Sequence, residues 1–275
     1  MDIRKVWFVT GATRGFGRLW VEAALARGDK VAATARSPSA LDDLSAKYGA
    51  SILPMKLDVT DRPAVFEAVN AAHIHFGRLD VILSNAGFGM MGAVEEVSIE
   101  DARANFDTNV FGTLNLIQAA LPLLRAQGFG HILPVSSVAG IIAVPTAGIY
   151  EGAKFAVEGI AEALAAEVAG FGIKVTLIEP AAYATGFMSD SSIRTAKRIP
   201  AYDGVRAQLA EALKPEDIGD PTATPAAILK LVDSENPPLR LMLGTLLPWV
   251  RQVYEERLQS WESWDDIARA AKGKP

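Results

Sequence analysis

The sequence predicts an α/β fold with one parallel sheet of about seven strands and helices on both of its faces. Short apolar segments rich in β-branched residues alternate with longer helix-forming segments along the whole chain, which is the order that produces parallel sheets. The first apolar segment ends in a glycine-rich turn that leads into a helix. The 275 residues, half of them hydrophobic, are enough for one large core. We therefore expect a single domain over residues 1–275.

Charge and cysteine content narrow the class of protein. The formal net charge is −5 and 21% of the residues are charged, which favours a soluble globular protein and argues against nucleic acid as a partner. The absence of cysteine rules out disulfides and thiol ligands and agrees with a reducing compartment. Residues 1–5 lead directly into the first strand, so no signal peptide is expected. We expect a cytoplasmic protein without a metal centre or a membrane partner.

The first strand, Val6–Thr10, is followed by a turn with three glycines, Gly11, Gly15 and Gly17. Glycine lets the backbone approach a bound group closely, and the N-terminus of the next helix offers free N–H groups and a partial positive charge. The spacing Gly-x-x-x-Gly-x-Gly differs from the usual dinucleotide fingerprint. The turn predicts a cradle for a diphosphate, although glycines also serve ordinary tight turns.

The second strand, Lys30–Ala35, ends at Arg36. Sites for NAD place an Asp or Glu at this point to bind the 2′-hydroxyl of the ribose, and no carboxylate is present here. Arg36, together with Arg14 in the glycine turn, could bind a 2′-phosphate through charge-assisted hydrogen bonds. We predict NADP(H) rather than NAD(H); the alternative is that both arginines are merely solvated.

The next two strands bring further candidates to the same edge. Residues 52–61 predict a strand followed by a helix N-cap, and Asp58 could accept the adenine amino group or simply cap. Residues 79–83 predict the fourth strand, which ends before Asn85. In this winding the fourth strand lies beside the first, so its tip borders the cofactor.

A long helix is predicted over residues 99–127, and a fifth strand over residues 131–135. Asn109 lies inside that helix, where asparagine is a poor helix former; it could also be an ordinary surface residue. Pro134 is awkward in a central strand because it cannot donate to the sheet ladder. A local bulge is the one explanation the sequence offers.

The strongest chemical signal follows the fifth strand. Tyr150 and Lys154 are four residues apart at the start of a helix-forming segment, so they share one face. A free phenol has a pKa of about 10, and a neighbouring cation lowers that pKa. Ser137, at the end of the fifth strand, could meet the phenol over a bound oxygen atom. The alternative is a half-buried aromatic residue beside a solvated amine.

The remainder of the chain completes the alternation. Residues 173–178 predict strand six, residues 224–232 a helix and residues 239–244 a last strand. Residues 186–215 are polar and irregular, which is typical of a substrate lid. Residues 249–271 predict an amphipathic helix that carries Trp261 and Trp264. This helix could be a dimer surface or lie on a membrane, and its even charge balance favours packing against protein.

With these motifs in place, the chain resembles the short-chain dehydrogenase/reductase family from about Val6 to Gly244. The family's phosphate turn is matched from Thr10 to Gly17, its adenine contact by Asp58 and its strand-four motif by Asn85-Ala86-Gly87. Its four catalytic positions are matched in order and spacing by Asn109, Ser137, Tyr150 and Lys154. Three features depart from the pattern: Ala181 after Pro180, Ser84 before Asn85, and Glu151-Gly152-Ala153 between the tyrosine and the lysine.

The resemblance implies a Rossmann-type fold and hydride transfer between NADPH and a carbonyl carbon. Ser137 would donate a hydrogen bond to the carbonyl oxygen, and Tyr150 would supply the proton. Lys154 would lower the pKa of Tyr150 and hold the nicotinamide ribose, while Asn109 would position a water. The residues expected to contact the cofactor are Gly11, Thr13, Arg14, Gly15, Phe16, Gly17, Arg36, Asp58, Val59, Asn85, Ala86, Gly87, Tyr150, Lys154, Pro180, Tyr183 and Thr185.

The predicted function is that of an NADP(H)-dependent carbonyl reductase acting on a small-molecule ketone or secondary alcohol. A hydroxysteroid or retinoid-type dehydrogenase is an alternative, and a non-catalytic NADP-sensing regulator is a remote one, since the tetrad is intact. Relatives pair through the helices that carry Asn109 and Tyr150, so a homodimer or homotetramer is expected. Apolar candidates for the substrate pocket, which could equally be core, are Phe88, Met90, Met91, Ile141, Val144, Phe187 and Met188.

Overall fold

The structure, a computed structural model, describes residues 4–185, 192–212 and 217–273. The strands within these ranges are β1 (Val6–Thr10), β2 (Lys30–Ala35), β3 (Ile52–Lys56), β4 (Val81–Ser84), β5 (Gly89–Met91), β6 (Gly130–Pro134), β7 (Ile173–Val175), β8 (Leu177–Pro180), β9 (Ile193–Thr195) and β10 (Arg240–Leu243). The helices are α1 (Gly15–Arg27), α2 (Asp42–Tyr48), α3 (Arg62–Phe76), α4 (Ile99–Phe106), α5 (Gly112–Gln127), α6 (Gly148–Val168), α7 (Asp203–Ala212), α8 (Thr224–Asp233), α9 (Leu247–Ser263) and α10 (Asp265–Ala271).

The central sheet is parallel and has the strand order β3-β2-β1-β4-β6-β7. Strand β8 continues from β7 after a single residue, Thr176, and pairs with β10. Strands β2 and β3 therefore lie on one side of β1 in the sheet, and β4, β6 and β7 lie on its other side. This arrangement confirms the predicted fold class.

Both faces of the sheet are covered, so the strands are apolar throughout. Trp7 and Phe8, successive residues of β1, point to opposite faces and are both fully buried. Phe8 packs in a core with α3, α5 and α6. Trp7 packs in a second core with α1 and α8, to which Trp20 and Ile228 contribute.

The position of Pro134 has a structural explanation. On the side facing β7 and β8, Thr176 donates its N–H to Ile132 O at 3.0 Å, and Ser136 donates its N–H to Ile178 O at 2.8 Å. This ladder places the nitrogen of Pro134 opposite the carbonyl of Thr176, where an N–H would otherwise donate. The missing hydrogen bond coincides with the break between β7 and β8, so the proline interrupts the neighbouring strand. The expected bulge in β6 is not the explanation.

The segment expected to be an irregular lid is more ordered than predicted. Strand β9 pairs in parallel with β5, and helix α7 follows it, so the expectation of irregular structure was wrong for residues 193–195 and 203–212. We call residues 192–212 the cap. Residues 186–191 and 213–216 of the predicted lid lie outside the described residues.

The C-terminal segment forms two helices, α9 and α10, rather than one, with the break at Trp264. Val250, near the start of α9, is buried against Ile141 and Ile142. Trp261 and Trp264 are 67% and 64% exposed. The start of α9 packs against the chain itself, and the expectation that the tryptophan-bearing end packs against a second protein stays a prediction.

Candidate active site

The glycine turn after β1 depends on close backbone contacts. Gly11 and Gly15 have φ angles of 68° and 54°, a region that favours glycine. A Cβ on Gly17 would lie 2.3 Å from the carbonyl oxygen of Gly11, which leaves no room for a side chain. Thr13 is half-buried and Arg14 is exposed on the outside of the turn. The turn delivers the chain to the N-terminus of α1 at Gly15.

The turn is locked to the segment after β4. The N–H groups of Asn85 and Ala86 donate to Thr10 Oγ1 at 3.0 and 3.1 Å. Asn85 Nδ2 donates to the carbonyl oxygens of Thr10 and Gly11 at 3.1 and 3.0 Å. Because its amide is used in this way, Asn85 acts on a cofactor by holding the turn in shape.

The residues predicted for the adenosine end lie at the carboxyl ends of β2 and β3. Arg36 is exposed directly after β2. Asp58 Oδ1 accepts hydrogen bonds from the N–H and hydroxyl of Thr60 at 3.0 and 2.7 Å. The N-cap of α3 is Asp61, which accepts the N–H of Ala64 at 3.1 Å, so the alternative that Asp58 caps the helix was wrong. Val59 is buried, and a Cβ on Gly112 would lie 2.6 Å from its Cγ2. The side chain of Val59 is therefore packed against the start of α5, and its contact with a cofactor stays a prediction.

The loop after β8 closes over the start of α1. The Tyr183 ring meets the Phe16 ring edge-on, with centroids 5.2 Å apart. Thr185 lies beside the glycine turn, since a Cβ on Gly15 would be 3.7 Å from Thr185 Cβ. The carbonyl of Pro180, at the end of β8, accepts a hydrogen bond from the Ser137 hydroxyl at 3.3 Å. These contacts bring Pro180, Tyr183 and Thr185 to the predicted edge of the sheet.

Ser137, Tyr150 and Lys154 meet in the structure. The Ser137 hydroxyl is hydrogen-bonded to the Tyr150 phenol and accepts the N–H of Ala139 at 3.1 Å. Lys154 Nζ lies 5.7 Å from the centroid of the Tyr150 ring and donates to the carbonyl oxygen of Val135 at 2.8 Å. The spacing of these residues in the sequence thus corresponds to a spatial cluster.

Burial dominates the electrostatics of this cluster. Burial raises the pKa of Tyr150 to about 12, and the Ser137 hydrogen bond opposes this shift. Burial lowers the pKa of Lys154 to about 8, while the charge of Glu158 opposes that shift. Burial sets the upward shift of the Tyr150 pKa, and the expectation that Lys154 lowers this pKa stays a prediction. The phenol is neutral at neutral pH and suited to giving a proton.

Asn109 occupies a π-helical turn, Asp107–Phe111, that joins α4 to α5. It is 1% exposed, so the alternative of a surface residue was wrong. Its Nδ2 donates to the carbonyl of Phe88 at 3.0 Å and its Oδ1 accepts the N–H of Phe88 at 3.2 Å. A Cβ on Gly87 would lie 2.3 Å from Asn109 Oδ1 and 3.9 Å from Lys154 Nζ. Such π-helical turns are frequent at functional sites.

The predicted substrate pocket is partly core. Met90 is fully buried in β5, and Ile141 packs under α9, so these two were wrong as open pocket residues. Met91 and Val144 are half-buried, and the guanidinium carbon of Arg194 lies 4.7 Å from the Phe88 ring centroid. Phe187 and Met188 lie outside the described residues.

Sequence reasoning missed the contact that fastens the cap. The buried Glu96 side chain forms an ion pair with Arg206 of α7. Its Oε1 accepts the N–H of Ile199 at 2.6 Å, and its Oε2 accepts the N–H of Ala93 at 2.7 Å. The Arg206 guanidinium and the Ile199 N–H lower the pKa of Glu96 to about 2. We call this cluster the Glu96 latch; its two charged residues are 110 positions apart, and no local pattern connects them.

Glu151, which directly follows Tyr150, was also missed. It is 2% exposed, and its Oε1 accepts the N–H of Val144 at 2.8 Å. Burial raises the pKa of Glu151 to about 7. The one sign of this role in the sequence was that Glu151 belongs to the Glu151-Gly152-Ala153 segment, which departs from the family pattern. The side chain holds the Val144 segment against the start of α6.

No helix in the three described ranges is long and apolar enough to cross a membrane. Within the same ranges, His, Cys, Asp and Glu side chains form no group of three or more that could hold a metal ion.

The crevice where the strand order reverses, between β1 and β4, is the place where open α/β sheets bind nucleotides. The glycine turn, the exposed Arg36 and the Ser137–Tyr150–Lys154 cluster all lie at this edge. Fold and site together define a nucleotide-dependent oxidoreductase.

The chain belongs to the short-chain dehydrogenase family, whose model matches residues 5–195. An oxidoreductase of Botryotinia fuckeliana, BOA17, is 38% identical over 272 residues, which cover 97% of this chain and 99% of that protein. A 3-ketodihydrosphingosine reductase of Bacteroides thetaiotaomicron is 35% identical over 260 residues, which cover 94% of this chain and 93% of that protein.

Solved structures agree. A short-chain dehydrogenase from Streptomyces avermitilis superposes with a TM-score of 0.90 at 36% identity, covering 98% of this chain and 99% of that one. A short-chain dehydrogenase/reductase from Burkholderia phymatum, solved in complex with NAD, has a TM-score of 0.80 at 27% identity and covers 93% and 95%. The predicted family is therefore confirmed.

Proposed function

We propose that the protein is an NADP(H)-dependent carbonyl reductase that interconverts a ketone and a secondary alcohol, with Tyr150 as the proton donor. The observation that carries this proposal is the hydrogen bond between the Ser137 hydroxyl and the Tyr150 phenol, with Lys154 one helical turn away. A carbonyl oxygen can receive two hydrogen bonds at such a pair. The name of the relative from Bacteroides, a ketone reductase, supports the same reaction.

The residues at the crevice fit a nicotinamide dinucleotide. Gly11 and Gly17 keep side chains out of the cradle. Helix α1 begins at Gly15 inside this turn, and the first N–H groups of a helix have no partner within it, so they can bind diphosphate oxygens. Arg14 and Arg36 are both exposed and supply the cations that a 2′-phosphate needs. When bound, the reduced nicotinamide supplies the hydride.

The protein's own part is to polarise the carbonyl and to move one proton. Ser137 donates a hydrogen bond to the substrate oxygen, and the neutral Tyr150 gives its proton to the same oxygen as negative charge develops there. The Lys154 ammonium lies near enough to stabilise the phenolate that results. Asn109 holds the backbone of Phe88 through both of its polar atoms and so fixes the wall beside Lys154. That Asn109 also positions a water stays a prediction.

A neutral phenol favours reduction at neutral pH. Because burial raises the pKa of Tyr150 to about 12, the protonated form needed for reduction is abundant. Alcohol oxidation needs the phenolate as a base, and its rate should rise with pH.

The test is a substrate panel with the purified protein. Carbonyl compounds, including the ketone 3-ketodihydrosphingosine, a ketosteroid and the aldehyde retinaldehyde, are offered with NADPH and separately with NADH, and the absorbance of the reduced nicotinamide is followed. We expect ketone-dependent oxidation of NADPH at a higher kcat/KM than that of NADH. If the protein binds NADPH but none of the carbonyl compounds leads to oxidation of NADPH, the protein would instead be the non-catalytic regulator.

A further inference from the structure

A buried charged cluster lies behind Lys154 and takes no part in the proposed chemistry. Glu158 is on the next turn of α6, Glu179 is in β8 and Arg240 is in the adjacent β10. Arg240 Nε donates to Glu158 Oε2 at 2.9 Å and lies 3.3 Å from Glu179 Oε1. Its Nη2 donates to Glu162 Oε2 at 2.7 Å. One guanidinium therefore serves three carboxyl groups.

Two of these carboxyl groups are removed from water. The side chains of Glu158 and Glu179 are 6% and 2% exposed, whereas that of Glu162 is 60% exposed. Glu158 Oε1, Glu179 Oε1 and Ser136 Oγ are buried without a hydrogen bond to any described residue. Two buried carboxylates beside one half-buried cation carry an excess negative charge, which is costly in a medium of low polarity. The two carboxylates have more acceptor oxygens than the Arg240 guanidinium and the Ser136 hydroxyl can satisfy, so one further donor is missing.

We propose that Glu158 and Glu179 share one proton at neutral pH, and that this acid pair is a positioning element that sets the charge state of Lys154. A shared proton supplies the missing donor and leaves the pair with one negative charge, which Arg240 balances. This inference rests on the proposed function, because Lys154 matters through the phenolate that it stabilises.

The titration of the pair is expected in the range where the enzyme works. Burial first, and then the charge of Glu158, raise the pKa of Glu179 to about 8, while Arg240 opposes the shift. Burial likewise raises the pKa of Glu158. The charged or titratable groups that face the pair are Lys154 and Glu162 from α6, Ser136 from the end of β6, and Arg240 from β10.

Loss of the shared proton would act directly on Lys154. The negative charge of Glu158 raises the pKa of Lys154, so a second negative charge on the pair would retain the ammonium proton to higher pH. At a pH below that titration, the single negative charge of the pair is balanced by the positive charge of Arg240. The positive charge of Lys154 then acts on Tyr150.

The kinetic experiment compares Glu158→Gln with Glu162→Gln, a matched change on the same helix at the same guanidinium. The pH profile of kcat/KM for ketone reduction is measured for both and for the wild type. We expect the alkaline limb of Glu158→Gln to move to lower pH by at least about half a unit, since one buried charge near Lys154 is lost. The profile of Glu162→Gln should stay in place, because its carboxylate is screened by solvent. Identical profiles for the two variants would overturn the proposal.

A second experiment needs no turnover and separates failure of this inference from failure of the proposed function. Carboxyl carbons of the wild type labelled with ¹³C-glutamate are titrated by NMR. We expect a buried carboxyl to titrate near pH 8, and this signal should be absent from Glu179→Gln and present in Glu162→Gln. If every buried carboxyl of the wild type other than Glu151, assigned by its loss in Glu151→Gln, titrates below pH 6, the pair holds no proton and the proposal fails, whether or not a ketone is reduced.

Discussion

At the scale of single residues, the proposed preference for NADP(H) depends on Arg36. It is exposed directly after β2, at the point where a carboxylate would bind a ribose hydroxyl. A charge-assisted hydrogen bond to a 2′-phosphate contributes about 1.5–3 kcal/mol. The side chain therefore carries a factor of about ten or more in affinity.

We predict that Arg36→Asp raises the Kd for NADPH by at least about tenfold and lowers or leaves unchanged the Kd for NADH. Titration of each cofactor by fluorescence measures both constants. Arg251→Asp, on the exposed face of α9, is the control for a general change of charge. An unchanged ratio of the two constants would show that Arg36 is merely solvated.

Gly17 is the second residue with a decisive position. A methyl group there would collide with the Gly11 carbonyl, so we predict that Gly17→Ala lowers the free energy of unfolding by about 1–3 kcal/mol and weakens cofactor binding. Gly159→Ala, in α6 with open space around its Cα, should raise that free energy by about 0.5–1 kcal/mol. Urea denaturation of both variants measures the difference, and equal stabilities would contradict the proposed crowding.

Among the elements, the cap shows how the molecule covers its crevice. Pairing of β9 with β5 and the Glu96 latch join the cap to the segment after β4. Glu96 is buried and accepts hydrogen bonds from Ala93 and Ile199 besides its ion pair with Arg206. The Glu96 carboxylate thus adds a buried side-chain contact to the strand pairing that holds the cap.

We predict that Glu96→Gln loosens the cap, because the amide cannot form the ion pair and offers a donor where two are already present. Limited proteolysis followed by mass spectrometry should show faster cleavage within residues 192–212. Steady-state kinetics should show an increased KM for the ketone. Glu100→Gln, exposed on α4, serves as the control. Cleavage at the same rate in both variants would mean that the strand pairing alone holds the cap.

The sequence predicted the elements whose signal is local. Apolar runs gave β1 to β4, and the four-residue spacing of Tyr150 and Lys154 placed both on α6. The break at Thr176 escaped prediction because it depends on the ladder opposite Pro134. The pairing of Glu96 with Arg206 and the burial of Asn109 in a π-helical turn escaped it for the same reason, since each depends on a distant partner.

At the scale of the whole molecule, buried titratable groups connect stability to pH. His131 is 4% exposed, and its Nε2 pairs with the Thr176 hydroxyl at 2.9 Å. Burial lowers the pKa of His131 from 6.5 to about 3. Between these values the unfolded chain binds a proton that the folded chain does not, so stability falls as the pH decreases through this window.

We predict that the wild type loses up to about 1.4 kcal/mol per pH unit through His131 between pH 6 and pH 4. His131→Gln should remove that part of the slope, whatever its stability at neutral pH, and His75→Gln, exposed on α3, should retain it. Thermal unfolding across this range provides the measurement. Equal slopes in the two variants would show that His131 is protonated in the folded state.

The central claim is that the Tyr150 phenol gives the proton during carbonyl reduction. Single-turnover kinetics of Tyr150→Phe with NADPH and a ketone that the wild type reduces test this claim most directly, with Tyr254→Phe on α9 as the control and thermal midpoints to verify folding. We predict a loss of at least about 100-fold in the rate of hydride transfer for Tyr150→Phe and none for Tyr254→Phe. A folded Tyr150→Phe that reduces the ketone within a few-fold of the wild-type rate would contradict it.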